Sequence, residues 1–322
     1  MSGDEPERTI RLGVSKCLLG EKIRYDGGHK LDLFLVNTLG RYAEWVPVCP
    51  EVEIGLPIPR ESLRLVGDPE APRLVAEKSG HDYTDTMQAW ARTRLEQLAT
   101  LNLHGFVFKK NSPSSGLFRV RVYDQHGVPA RVGTGIFPRE VIKHFPLLPL
   151  EEEGRLHNMQ LRENFIERIF VYCRWTRLLD ENPTPGGLVQ FHTAHKLTMM
   201  AHSPSHYQEM GRLVAQAGKL PWTEAVETYG TLLMEGLKRL GTPGKHANVL
   251  QHLMGFLKDG LAREDKEELL GLIEDYRRGL VPLIVPLTLL QHHLRRHAVP
   301  DWVHQQVYLH PYPKELMLRN HV

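Results

Sequence analysis

The stretch Gly105-Phe106-Val107-Phe108-Lys109-Lys110-Asn111-Ser112-Pro113-Ser114-Ser115-Gly116 decides how this chain folds. A continuous apolar run passes abruptly into polar, serine-rich residues. Beyond it, Phe118-Arg119-Val120-Arg121-Val122-Tyr123 alternates apolar with polar. A short apolar run reads as a buried strand and period-two alternation as a half-exposed one. The unit is thus buried strand, tight polar loop, more exposed strand. Two other short apolar runs end alike. Ile10 to Ser15 runs into Lys16-Cys17-Leu18-Leu19-Gly20, and Trp45 to Val48 runs into Cys49-Pro50-Glu51. In open α/β sheets the ligand crevice lies beyond the carboxyl ends of the strands. If the three strands are parallel neighbours, Cys17, Cys49 and the serine loop converge on one site.

The composition excludes several classes. A chain of 322 residues is long enough for two domains, and its formal net charge of +2 gives no global field for nucleic acid. A local basic patch is still allowed. No stretch approaches the roughly 18 uninterrupted apolar residues of a membrane span. Residues 1–8 lack the apolar core of a signal peptide and read as a short disordered leader on a cytoplasmic protein. Three cysteines do not make a disulfide framework. In a reducing compartment, cysteines at strand ends are candidate ligands or nucleophiles, whereas Cys173 falls on an apolar helical stripe and reads as core.

Residues 1–150 alternate strand-like and helix-like segments. Leu31 to Leu39 looks helical after the Gly27-Gly28 turn. Leu63–Gly67 and Pro72–Ala76 read as a small hairpin. Asp82 is placed to cap a long helix from Tyr83 to about Leu103. Residues 139–180 read as a helical bridge, and Asn182-Pro183-Thr184-Pro185-Gly186-Gly187 as the clearest boundary. Beyond it the pattern is helical throughout, over about 188–202, 205–218, 222–240, 245–260, 263–279 and 283–297. The expectation is an α/β domain with a parallel, Rossmann-like sheet at 8–150. A bridge and linker follow at 151–187, then an all-α bundle at 188–310 and a tail at 311–322. Of the 18 histidines, 13 lie after residue 150, yet Lys and Arg balance Asp and Glu there at 20 each, so basic clusters are local. His192, His195 and Lys196 share a helical face, and Arg295 and Arg296 form a second cluster.

Three motifs in register carry a resemblance. Ser15-Lys16-Cys17-Leu18-Leu19-Gly20 with Arg24-Tyr25-Asp26-Gly27, then Cys49-Pro50-Glu51, then Ser112-Pro113-Ser114-Ser115-Gly116 resemble the TudS-like thiouracil desulfidases over about residues 8–150. His192-Thr193-Ala194-His195-Lys196-Leu197 and Ala201-His202-Ser203-Pro204-Ser205-His206-Tyr207 resemble the YbgA-type helical domain. The fusion is similar to the RudS tRNA 4-thiouridine desulfidases. That resemblance implies a 4Fe-4S cluster on three protein ligands, with one iron left open. Cys17 and Cys49 match two of these ligands. Ser115 stands where the family writes the third cysteine, and a hydroxyl is a poor ligand for a soft iron–sulfur centre. A deliberate Cys→Ser exchange, a natural loss of the cluster, or another ligand such as Cys173 would each account for it. Retention of Cys17, Cys49, Glu51 and Ser112 favours the first, an inactive form of the enzyme.

The resemblance further implies non-redox desulfuration of a thiolated uridine in tRNA. Glu51 would be the general base on water, and Ser112 would relay a proton or bond the substrate. Lys109, Lys110, Arg119 and Arg121 flank the loop and are candidates for phosphate contact. His192, His195, Lys196, Arg295 and Arg296 are candidates on the helical domain. Two other readings stand beside this one: a desulfidase for free thiouracil bases, and a cluster-free tRNA-binding protein. A homo-oligomer is left open.

Overall fold

The structure, a computed structural model, describes residues 9–258 and 260–321. The expected leader at 1–8 lies outside the described residues. The chain divides into two compact units between Asn158 and Met159.

The first unit contains β1 (Ile10–Ser15), β2 (Ala43–Val48), α1 (Pro50–Glu53), β3 (Leu63–Val66), β4 (Arg73–Ala76) and α2 (Thr84–Ala99). It continues with β5 (Gly105–Phe108), β6 (Val120–Tyr123), β7 (Pro129–Gly133), α3 (Ile136–His144) and β8 (Leu150–Glu152). One sheet has the order β2-β1-β5-β8 and all its pairings are parallel. The chain leaves β1 to one side for β2, then crosses to the other side for β5. That reversal is a topological switch point, which in open parallel sheets opens a crevice at the carboxyl ends. Leu12, Val14, Phe106, Val107 and Phe108 are buried in this layer, as the run-like strand pattern requires. Gly13 is obligatory, because a Cβ there would overlap the Phe106 ring.

The serine loop joins two sheets rather than two strands of one. β6 belongs to a second sheet, β4-β3-β6-β7, in which the expected β3–β4 hairpin is antiparallel. Leu65, Leu74, Val120 and Val122 form its inner face against Met87 of α2 and Ile136 of α3. Two local expectations are corrected and one is refined. Leu31–Leu39 is helical as read, but as a wide π-type turn over Phe34–Thr38 and a tight 3-10 turn over Leu39–Arg41 rather than an α-helix. Asp32 accepts the Leu35 amide at 3.0 Å, and the chain enters β2 only four residues after Leu39. The next helix ends at Ala99 because Thr100 bonds back to the Gln97 carbonyl and Asn102 turns left-handed at φ 50°. Asp82 does accept the Thr84 amide, at 2.9 Å. The stretch 139–180, read as a helical bridge, opens with the end of α3 and an edge strand, β8.

The second unit is helical: α4 (Met159–Glu181), α5 (Pro185–His202), α6 (Pro204–Gln216), α7 (Trp222–Leu237), α8 (Pro243–Met254), α9 (Arg263–Arg277), α10 (Ile284–Arg296) and the short α11 (Asp301–His304). Proline at the first turn starts α5, α6 and α8. Thr184 and Thr242 cap α5 and α8 by accepting the Gly187 and Lys245 amides. The Pro-Gly segment 182–187 joins α4 to α5 inside this unit. Cys173 is buried on α4, as its apolar stripe predicts. Among the described residues no helix is long and apolar enough to cross a membrane.

Candidate active site

Three consecutive parallel strands deliver three loops to one cavity of about 610 Å³. Beyond β1, a tight turn over Lys16–Leu19 presents Cys17, and Gly20, left-handed at φ 96°, closes it. The Cys17 carbonyl accepts the Lys30 amide at 2.9 Å, so the turn is tied down from behind. Beyond β2, Cys49 caps the single turn of α1, and its amide donates to Glu53 Oε1 at 2.9 Å. That turn raises Glu51 into the cavity. Beyond β5 comes the serine loop. Its Lys109 amide donates to Ser15 Oγ at 2.9 Å, which locks the ends of β1 and β5 together.

The loop is closed by its own hydroxyls. Ser112 Oγ lies 3.0 Å from Ser114 Oγ and accepts the Ser115 amide at 3.2 Å. The Gly116 amide donates to the Ser112 carbonyl at 2.7 Å, and a Cβ on Gly116 would stand 2.6 Å from Val120 and 2.7 Å from that oxygen. Ser114 donates to Glu51 Oε1 at 2.7 Å, while Arg60 holds Oε2. Glu51 is thereby oriented by two partners, and each carboxylate oxygen keeps a second lone pair for a water or substrate proton.

A carboxylate triplet at the end of β8 pins the loop from below. Glu153 accepts Lys109 Nζ at 2.6 Å and the Lys110 amide at 2.7 Å. Glu152 accepts the Leu117 and Phe118 amides at 2.8 and 3.0 Å. Glu151 bonds Arg155 at 2.7 Å. All three glutamates are buried. Burial of a carboxylate is tolerable only with such partners.

Both thiols face the cavity with raised pKa. Burial, only partly offset by Lys109 and reinforced by Cys49 and Glu51, pushes Cys17 up to about 11. Burial also raises Cys49. Together with Ser115 Oγ the two thiols offer two soft donors and one hard one to the same cavity. Among the described residues no three His, Cys, Asp or Glu side chains converge as a metal site. The donor set therefore fits an iron–sulfur group at two positions and departs from it at the third.

Of the residues picked out from sequence, Cys17, Cys49, Glu51, Ser112, Ser115, Lys109, Lys110 and Arg121 all line this cavity. Lys109 is committed to Glu153, whereas Lys110 is exposed. Arg119 is exposed with φ 52° and does not line the cavity. On the helical unit the candidates separate. His195 is buried, its ring stacked on Phe191 and its Nδ1 2.8 Å from the Phe191 carbonyl. That ring has no surface to offer a phosphate, which corrects its reading as an RNA contact. His192 packs between Tyr207 and Tyr229, with Nδ1 3.2 Å from the Tyr229 hydroxyl. Burial pushes these two histidines down to about 3 and about 4, so they are neutral at pH 7. Lys196 lies 3.3 Å over the Trp302 ring. Arg295 and Arg296 are exposed at the end of α10. Sequence reasoning missed Ser114, Arg60, Ser15 and the Glu152–Glu153 clamp. One signal was there: three consecutive glutamates directly after an apolar segment.

Residues 12–153 match the family model described as 2-thiouracil desulfurase, and residues 196–313 match a family described as protein of unknown function DUF1722. The chain is 31% identical over 157 residues to the uncharacterized protein YbgA of Escherichia coli strain K12, covering 48% of this chain and 90% of that protein. Among solved structures, a 4Fe-4S-dependent thiouracil desulfidase, TudS, is similar at 29% identity and TM-score 0.40, covering 48% of this chain and 98% of its own.

Proposed function

Because the chain belongs to the YbgA family and its first half is a 2-thiouracil desulfurase domain, we propose that it removes sulfur from a thiolated uridine in tRNA. The reaction is hydrolytic. Water adds at the ring carbon, the C–S bond breaks, a C–O bond forms, and uridine and hydrosulfide leave with no net electron transfer. The observation that carries this reading is the meeting of Cys17, Cys49, Glu51 and the Ser112–Ser115 loop on one cavity.

A 4Fe-4S cluster would be held here by Cys17, Cys49 and the side chain at position 115. When bound, it supplies a Lewis-acidic iron with affinity for sulfur. The remaining work falls to this chain's own residues. Glu51, fixed by Ser114 and Arg60, takes the proton from the attacking water. Ser112, 3.0 Å from Ser114, bonds the base and passes a proton along the hydroxyl chain. Val48, Leu63 and Val120 supply the apolar part of the lining, against which a base can rest. The family description itself favours a second reading, in which the substrate is a free thiouracil base.

Anaerobic iron–sulfur reconstitution of this chain beside Ser115→Cys tests the proposal. The expected result is a full cluster and loss of 4-thiouridine absorbance from bulk tRNA in Ser115→Cys, and little of either in the parent. If neither chain holds iron, the cluster reading fails. If both clear free thiouracil but leave tRNA untouched, the free-base reading replaces it.

A further inference from the structure

The outer face of the second sheet carries three arginines in one row. Val122 and Leu65 are paired neighbours on β6 and β3 and both point into the core. The residue before each, Arg121 and Arg64, therefore points to the opposite face. On the other side of β6, Arg121 is paired directly with Arg131 of β7. Two strand spacings make this row about 10 Å long. All three arginines line the cavity that holds Cys17, Cys49 and Ser115.

Like charges directly opposite across strands destabilise a sheet, so a row of three without counter-charge is costly on its own. Among the described residues, none of the three makes an ion pair. Of the three carboxylates that line the cavity, Glu51 is paired with Arg60 and the other two form no ion pair with the row. Glu61 accepts the Lys78 and Ser79 amides and the Ser79 hydroxyl, and Glu77 accepts the Ser62 hydroxyl. Arg64 adds a second, independent sign. Its guanidinium lies 5.4 Å over the Tyr123 ring, and its Nε is buried without a hydrogen-bond partner. A buried, unpartnered guanidinium N–H is a donor that lacks its acceptor. Lys30 and Lys110 line the same mouth, so the uncompensated charge continues around the rim.

We infer that Arg64, Arg121 and Arg131 form a phosphodiester-binding row, which seats the sugar–phosphate strand on either side of the base that enters the cavity. The inference rests on the desulfidase reading for the identity of that base, but not for the existence of the row. A free base carries no phosphate and leaves the row empty. A strand with phosphates before and after the reacting nucleotide fills it, with the fork geometry of guanidinium on phosphate oxygen. The row thus selects polymeric over free substrate.

The test needs no iron and no turnover. Binding of the full chain to a fluorescent oligouridine is followed by anisotropy across a salt series. For single strands, the slope of log K against log salt is about 0.7 per phosphate contact. Arg121→Ala/Arg131→Ala removes two contacts, so its slope falls by about 1.4 and its affinity at low salt by at least about tenfold. Arg131→Lys keeps the charge and most of the slope. Arg92→Ala, which removes an exposed arginine on α2 outside the cavity, leaves it unchanged. The double variant melts no lower than the parent, because it relieves like-charge repulsion. An unaltered slope in the double variant overturns the row, as does an equal fall in Arg92→Ala, which would mean net charge alone. Loss of desulfuration in the reconstitution experiment with the slope result intact would sink the desulfidase reading and leave the row standing.

Discussion

The Ser114 hydroxyl donates to Glu51 Oε1 across 2.7 Å, joining two loops that are 63 residues apart in sequence. Ser114 is buried, and its hydroxyl lies 3.5 Å from Ser115 Oγ as well as 3.0 Å from Ser112 Oγ. One side chain thus couples the base, the relay and the odd ligand position.

If Glu51 is the base and Ser114 its positioner, the two substitutions separate. In the Ser115→Cys background, Glu51→Gln lowers kcat about 10²- to 10⁴-fold, the ordinary range for general-base loss. Ser114→Ala lowers it by roughly tenfold and leaves Glu51 held by Arg60 alone, a loss typical of one hydrogen bond. Single-turnover absorbance traces check both. Equal losses would place Ser114 itself at the reacting atoms.

Glu153→Gln attacks the floor of the loop. The Lys109–Glu153 pair is nearly buried, at 16% and 9% side-chain exposure. Removing the charge from one side of a buried pair strands the other, at roughly 3 kcal/mol. Chemical denaturation of the variant therefore gives a lower midpoint, and loss of cluster occupancy accompanies it in the Ser115→Cys background. Glu152→Gln retains an acceptor for the Leu117 and Phe118 amides and costs less.

The helical unit is expected to lose stability in acid. Burial, aided by Arg174 at His195 and by Arg319 at His246, lowers both histidines to about 3. Between pH 6.5 and about 3 the unfolded chain binds these protons and the folded chain does not. Stability then falls with pH, by up to about 1.4 kcal/mol per unit for each histidine. His202 behaves oppositely. Burial lowers it, but the Glu167 carboxylate 2.8 Å away outweighs that and raises it overall. Its contribution is complete below pH 6.5 and fades only as pH rises through the raised value. His192, lowered to about 4, adds to the same loss, so a urea series from pH 7 to 4 should show a steep fall and His195→Phe should flatten it by about a third.

Gly116→Ala is a backbone test of the loop. The new Cβ meets the Ser112 carbonyl and Val120, so the serine loop must shift. Overpacking of this kind costs about 1–3 kcal/mol. The Ser115→Cys/Gly116→Ala chain should bind less iron than Ser115→Cys alone.

Much of this was legible from local pattern. Cys17, Cys49 and the serine loop each follow a short apolar run, and parallel strands necessarily bring such ends together. The C-terminal helices announced themselves through uninterrupted helical spacing beyond residue 187. What stayed hidden depends on long-range pairing. Nothing in Phe118–Tyr123 says that β6 leaves the first sheet for a second one. Glu151–Glu153 looks like a solvated acidic run until β8 is seen to bury it beside β5. His195 looks like a polar helix face until the packing of Phe191 is known. Strand partner choice and helix rotation are tertiary properties, and one-dimensional periodicity does not contain them.

The buried triplet on β8 also sets an order of events. During synthesis, Lys110 leaves the ribosome 43 residues ahead of Glu153, the carboxylate that will hold its amide. Until β8 docks beside β5, the serine loop has its own hydroxyls to close it but no floor. A chain released before residue 153 would carry all three strand-end loops and an unfinished pocket. Completion of this site is therefore a late event in the folding of its domain, and any cofactor loading that requires a settled loop must wait for it.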